Sequence, residues 1–277
     1  MNLDPEKLAK TEIKYQIART REDLEDSFSL VYKEYAQRKY IPQDFKSKMR
    51  LSLYNALPET TTFVGKHADK LIATVTLVPD SPLGIPMDKI YKTEVDTLRR
   101  KGLKVAEVSQ LSIDGKLFPK GWFSMFNFNK LIFIFKLFKL VLDYALYETK
   151  IDELCIAVNP RHQYLYKFLF FEELGGLKDY GSVNKAPALA KHLNIRSAEQ
   201  KTKQKQGVHK IFFGQKTDLK AFENKFILTA EELNYFFIKK SEIFLKAERD
   251  QLAQVLSFYP QEISSPIMEK MGKFHKS

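Results

Sequence analysis

Glu107 stands between Ala106 and Val108 in an apolar run. A carboxylate there costs free energy unless it is paired or put to use. It is either a partner for a nearby Arg or Lys, a solvent-facing group, or a proton acceptor. A second group follows the run Leu154-Cys155-Ile156-Ala157-Val158, namely Asn159-Pro160-Arg161-His162 and then Tyr164 and Tyr166. Asn159 can orient a ligand or cap the next helix, and capping alone is reason enough for Asn. The fork of Arg161 suits a phosphate or a carboxylate, and an exposed surface arginine is the alternative. His162 is a convenient base near neutral pH, or a surface histidine. Tyr166 offers a hydroxyl, or it is a core tyrosine on a short helix. Cys155, the sole cysteine, reads as a small buried hydrophobe. It leaves no internal disulfide and no multi-cysteine metal site, and the five histidines are scattered, so no metal is expected.

These residues need elements to hold them. Strands are expected at Ile13–Ala18, Thr60–Val64, Leu71–Val78, Leu103–Ile113, Ile151–Val158 and Glu172–Tyr180, with a last core segment over Val183–Leu193 and a returning strand at Val208–Phe213. Alternation along Leu103–Ile113 puts Val105, Glu107, Ser109 and Leu111 on one face and Ala106, Val108, Gln110 and Ser112 on the other. Helices are expected from Leu24 to Arg38 behind a Thr20 cap, over Phe45–Leu57, Asp88–Arg100, Phe126–Tyr147 and Gln163–Phe170, and from Thr229 behind a capping box with Glu232. Ser197–Gly207 reads as a loop or linker, and Ser257–Ser277 as a fraying tail. Strands interrupted by helices without a regular βαβ repeat give an α/β (α+β) fold.

Composition sets limits. The chain has 277 residues, 44% hydrophobic and 29% charged, which is a folded class. The net charge of +11 attracts anionic partners. No zinc-finger spacing, helix-turn-helix or basic-aromatic repeat is present, so nucleic acid is not expected. The 22 Phe and 13 Tyr either line a wide apolar cavity or fill a core. The run Leu131–Leu142 is broken by Lys136 and Lys139 and is too short to span a bilayer. With Asp143 those lysines mark a polar stripe on a mostly buried helix, leaving peripheral membrane contact open. Met1–Lys14 has no signal-peptide core, so the expected location is cytoplasmic, with the inner membrane surface as an option.

The order and spacing of three segments resemble the GCN5-related N-acyltransferase superfamily, over about two thirds of the chain, Lys14 to Ile195. They are Val105-Ala106-Glu107-Val108-Ser109-Gln110-Leu111-Ser112-Ile113, then Asn159-Pro160-Arg161-His162 with Tyr166, Phe171, Glu172, Leu174 and Gly175, then Tyr180 through Val183-Asn184-Lys185-Ala186-Pro187-Ala188. The branch most similar makes long-chain N-acyl amino acids and is related to acyl-homoserine-lactone synthases. The resemblance implies a mixed central sheet flanked by helices. Its central strands splay apart, and the notch holds a phosphopantetheine thioester. It implies transfer of a long-chain acyl group from an acyl carrier protein to the amino group of an amino acid or related amine. Glu107 is then the base, Tyr166 the donor to the leaving sulfur, and Ser109, Gln110, Asn159, Arg161, Lys116 and Lys120 bind substrate or donor. Two departures stand out. The Gln/Arg-x-x-Gly-x-Gly/Ala loop for the coenzyme A pyrophosphate is absent after Gln110, which favours the carrier over acyl-coenzyme A. Gln110 stands where Arg is common, and Phe170 where Gly is common. A non-catalytic lipid-binding protein of the same fold, or a coenzyme A-dependent N-acetyltransferase, is the alternative. The expected division is residues 1–213 as the acyltransferase-like domain and 214–277 as a C-terminal helical extension that covers the core or makes a homodimer contact.

Overall fold

The computed structural model describes residues 13–43, 45–117, 128–203, 209–210, 212–214 and 217–274. Seven strands, β1 (Lys14–Ile17), β2 (Thr61–His67), β3 (Lys70–Pro79), β4 (Val105–Ile113), β5 (Glu153–Val158), β6 (Glu172–Tyr180) and β7 (Ala186–Asn194), form one sheet. Their order is β1-β2-β3-β4-β5-β7-β6. All neighbours are antiparallel except β4 and β5, which run parallel. The mixed sheet is the one expected from the sequence. β2 turns into β3 through Ala68 and Asp69, both at positive φ (44° and 63°). Two consecutive left-handed residues give a turn whose twist suits a hairpin.

Helices cover both faces. α1 (Arg21–Gln37) starts at Thr20, whose Oγ1 accepts the Asp23 N–H at 3.1 Å. α2 (Asp88–Arg99) precedes β4, and α3 (Phe128–Tyr147) joins β4 to β5. α4 (Gln163–Phe168) follows β5, and α5 (Ile195–Lys203) follows β7. Alternation separates the layers. Ala106, Val108, Leu154 and Ile156 pack against Leu137, Phe138 and Val141 of α3. Val105 and Cys155 pack instead against Tyr91, Val95 and Leu98 of α2. On α3, Lys139 pairs with Asp143 at 2.7 Å and Lys136 stays exposed, which is the expected stripe. β6 lies close on α2: a Cβ at Gly175 would stand 3.0 Å from the Tyr91 ring. The Tyr91 hydroxyl reaches the carbonyls of Gly176 and Ala188 at 2.8 and 2.6 Å.

The C-terminal part is helical. α6 (Ala230–Leu233) runs into a π-helical stretch, Asn234–Lys240, followed by α7 (Ile243–Lys246), α8 (Arg249–Ser257) and α9 (Gln261–Phe274). Thr229 caps α6, accepting the Glu232 N–H at 3.3 Å. Leu233, Phe236, Phe237, Phe244, Val255, Ile267 and Met271 share one core with Phe28 of α1 and with Met49, Leu51, Ala56 and Leu57.

Four segments differ from the sequence expectation. Phe45–Leu57 holds only a 3-10 turn, Leu53–Ala56. Ser52 and Asn55 close that turn reciprocally, and Lys48 at φ 51° interrupts any longer helix. Ser197–Gly207 begins as helix rather than loop, since α5 buries Ile195, Ala198 and Thr202 at helical spacing; residues 204–208 lie outside the described residues. Within Val208–Phe213, His209, Lys210 and Phe212 are helical, and Phe212 packs edge-on against Phe135 of α3. The tail from Ser257 contains α9, held by Ile267 and Met271, 2% and 3% exposed. A single Phe236→Ala change should lower stability by about 3–5 kcal/mol, read as a shifted urea midpoint. An unchanged midpoint would mean that the C-terminal helices do not share a cooperative core with α1.

Candidate active site

β4 and β5 pair over three residues only, Val105 with Glu153, Ala106 with Leu154 and Glu107 with Cys155. β4 then continues to Ile113 along β3, and β5 to Val158 along β7. Among the described residues, no ladder joins their facing edges beyond Glu107 and Cys155. The sheet opens into a notch whose two edges carry backbone groups that pair with no strand across it among the described residues. A bulge lies on one edge: Ser109 faces Thr76 and Ser112 faces Thr74, so three steps of β4 oppose two of β3. Gln110 takes the extra step at φ 55°, and a bulge re-aims the side chains after it. Ile113 and Leu111 therefore join the α3 side with Ala106 and Val108, which strict alternation would have given to Ser112. The Gln110 side chain is tied down. Its Oε1 accepts from Thr76 Oγ1 and Asn55 Nδ2, each at 3.2 Å, and its Nε2 donates to the Arg50 carbonyl at 3.4 Å.

Glu107 sits at the apex of the notch, 3% exposed. Its Oε2 accepts the Met87 N–H at 2.5 Å. Burial pushes its carboxyl up to about 8; the Met87 N–H opposes this, Asp88 adds to it, and Ser109 and Lys89 work against it. No cation forms an ion pair with it among the described residues. The loop that brings Met87 is itself pinned. Arg99 holds Asp80 at 2.7 Å, Asp88 at 2.6 Å and Asp96 at 2.7 Å, and Asp88 Oδ2 accepts the Ile85 N–H at 2.9 Å.

The other edge is built from the end of β5. Asn159 caps the 3-10 turn Pro160–His162, its Oδ1 accepting the Arg161 N–H at 3.1 Å. That turn leads into α4 and presents Tyr166, 8% exposed, with its ring edge-on to Phe138 and Phe171 at 5.9 and 5.8 Å. Burial raises its hydroxyl pKa, so the group stays protonated near neutral pH and can donate a hydrogen bond.

Between the two edges lies a cavity of about 550 Å³, within the range of small-molecule sites. Glu107, Ser109, Gln110, Asn159 and Tyr166 all line it. Arg161 and Lys116 are exposed and are not part of the lining, and Lys120 lies outside the described residues. His162 borders the cavity. One end is polar, with Arg38, Arg50 and Lys89 beside Glu107; Ile113, Ile134, Ile156 and Leu165 line the apolar part. Sequence reading missed Tyr35, Arg38, Arg50, Tyr54 and Ser112. Tyr35 and Arg38 are three apart at the end of α1, a face-sharing pair that could have been noticed. Arg50 and Tyr54 carry no such signal, because only the tertiary fold brings their segment to β4. Ser112 Oγ is buried on this wall and has no hydrogen-bond partner among the described residues.

A mixed sheet whose parallel central pair opens into a notch, flanked by helices, is the architecture of the GCN5-related N-acyltransferases. The chain belongs to the family of the N-acyl amino acid synthase FeeM, whose model matches residues 26–194. General N-acyltransferase activity, transfer of an acyl group to an amine, goes with that membership. The structure of FeeM, an N-acyl amino acid synthase from uncultured soil microbes, is 30% identical, covering 72% of this chain and 98% of its own, with a TM-score of 0.59. The AHL synthase LasI is 13% identical, covering 75% of this chain and 98% of its own, with a TM-score of 0.49. No curated protein matches the chain.

The Glu107 environment makes a stability prediction. Its folded pKa of about 8 lies above the ordinary 4.5, so the folded state holds a proton that the unfolded state releases. Stability from this group is full below about 4.5 and falls as pH rises through about 8. Glu107→Gln should therefore raise Tm by a few degrees above that pKa and by less near pH 4.5. A Tm gain independent of pH, in thermal melts across that window, would contradict the assignment.

Proposed function

We propose that the protein moves a long-chain acyl group from an acyl carrier protein thioester to the amino group of an amino acid or related amine. The observation that carries this reading is Glu107: a buried carboxylate with a pKa of about 8 at the head of a notch, on the wall of an amphipathic cavity. A base with a pKa near the working pH balances availability against driving force.

In this reading the phosphopantetheine arm enters between β4 and β5. Its amides pair with the unpaired strand edges in the manner of strand addition, and Ser112 Oγ supplies a further partner. The acyl chain occupies the apolar part beside Ile113, Ile134 and Leu165. The amine lies at the polar end, where Arg50 complements a carboxylate and Arg38, ion-paired with Glu34 at 2.9 Å, adds positive charge. Glu107 takes a proton from the amine nitrogen, directly or through water, as the nitrogen bonds to the thioester carbon. The carbon–sulfur bond breaks, and the Tyr166 hydroxyl protonates the leaving sulfur. Solvent returns the proton from Glu107 to Tyr166, so amine and thioester become amide and thiol. A carrier-borne donor is favoured by the missing pyrophosphate loop after Gln110 and by the net charge of +11, which complements an acidic carrier. Acyl-coenzyme A is the less favoured donor.

Amide formation from long-chain acyl carrier protein and a mixture of amino acids, followed by mass spectrometry, tests the reading. Glu107→Gln should lower turnover by roughly 10²-fold or more with donor binding intact. Wild-type kcat/KM should rise through a pKa of about 8, and the variant should lose that limb while keeping the one due to the amine itself. Unchanged turnover would remove Glu107 from the base role. Carrier association should weaken steadily with added salt; a salt-independent titration would count against electrostatic docking.

A further inference from the structure

The polar end of the cavity has a backing that the family likeness does not cover. The family model ends at residue 194, whereas the wall formed by Arg50, Leu51, Ser52, Leu53, Tyr54 and Asn55 is supported from behind by the C-terminal helices. Leu51, Ala56 and Leu57 share a core with Leu252, Val255 and Leu256 of α8. The Tyr259 hydroxyl donates to the Ala56 carbonyl at 2.5 Å inside that core. α8 also reaches the cavity directly, since Gln251 is part of its lining. Gln251 is otherwise an exposed residue on a helix whose buried positions are Leu252, Val255 and Leu256.

This wall faces the carboxylate. Burial, followed by the charges of Asp88 and Glu107, pushes the Tyr54 hydroxyl up to about 12. Tyr35, also on the cavity, feels Arg50, Arg38 and Glu107 together. Ser52, Asn55 and Gln251 add neutral groups that both donate and accept hydrogen bonds.

We propose that the C-terminal helical unit selects the amine acceptor: Gln251, with the wall that α8 holds in place, recognises an acceptor bearing an uncharged, hydrogen-bonding side group. The inference rests on the acyl-transfer reading above. A site built to hydrogen-bond such a group discriminates against analogues lacking it, because its own polar groups are then left unpaired. Gln251 is not one of the proton-transfer groups, so it acts on acceptor choice and not on the chemical step.

The test uses the full chain with long-chain acyl carrier protein and an equimolar mixture of amino acids, comparing wild type with Gln251→Leu. The wild type should favour hydroxyl- and amide-bearing acceptors. The variant should raise KM for those acceptors by about tenfold, the worth of one hydrogen bond of 1.4 kcal/mol. It should leave the donor KM and Tm unchanged and shift products toward apolar acceptors. An identical product distribution in the two proteins, or a rise confined to the donor KM, would overturn the inference while leaving the acyl-transfer reading standing. No amide from the wild type would overturn that reading and the inference with it.

Discussion

The rest of the site depends on the early end of the β4–β5 ladder. A parallel pair that stops after three residues leaves two rows of backbone donors and acceptors facing each other inside a folded protein. Buried backbone groups are expensive unless they are satisfied, so such an opening persists only where something holds it apart and something else can enter. Here both edges are committed elsewhere. β4 continues along β3 and β5 continues along β7, so neither can bend to the other without breaking a longer ladder. α1 and α3 cover the two faces, and the space left is the cavity.

The same opening explains the electrostatics. Glu107 follows the parity that keeps it off the α3 side, and it lies at the last paired position, where solvent is excluded but a ligand is not. A full ion pair would lock its charge and pull its pKa down. Arg99, on the neighbouring helix α2, is engaged by three aspartates. That network fixes the Asp80–Asp88 loop and so the Met87 N–H, which donates to the carboxylate. Arg99 thereby shapes the site while its own charge is spent on the loop.

That Glu107 and Tyr166 line the cavity agrees with the sequence reading: Glu107 stood out as a carboxylate among apolar strand neighbours, and Tyr166 through the family resemblance of the segment after Asn-Pro. The sheet elements were legible because their signals are local. The bulge was not, since nothing in Val108-Ser109-Gln110-Leu111 marks Gln110 for φ 55°. The bulged residue's side-chain amide is held by Thr76 and Asn55, residues far away in the chain. Reading β4 as a regular strand put Leu111 on the wrong side, and it hid Ser112 as a cavity residue. Arg161 was read from its chemistry as either an anion-binding residue or an exposed surface arginine, and the binding role came through the resemblance. It is exposed and does not line the cavity; its backbone N–H donates to the Asn159 cap.

The C-terminal region shows a different limit. A tail with Pro260 and Pro266 looks frayed when judged by propensity, since proline opposes helix interiors. What orders it is burial: Ile267 and Met271, one turn apart, close a core whose other half is Phe28, Leu51 and Ala56 from the opposite end of the sequence. That core is also what fixes Arg50–Asn55, a segment whose regular structure is a single 3-10 turn from Leu53. An irregular wall can be positioned only by what packs behind it. Hence the elements that give this cavity its polar end are split between a strand bulge, a loop and helices about two hundred residues apart, and the bulge residue Gln110 is the point where β3, β4 and the wall are joined.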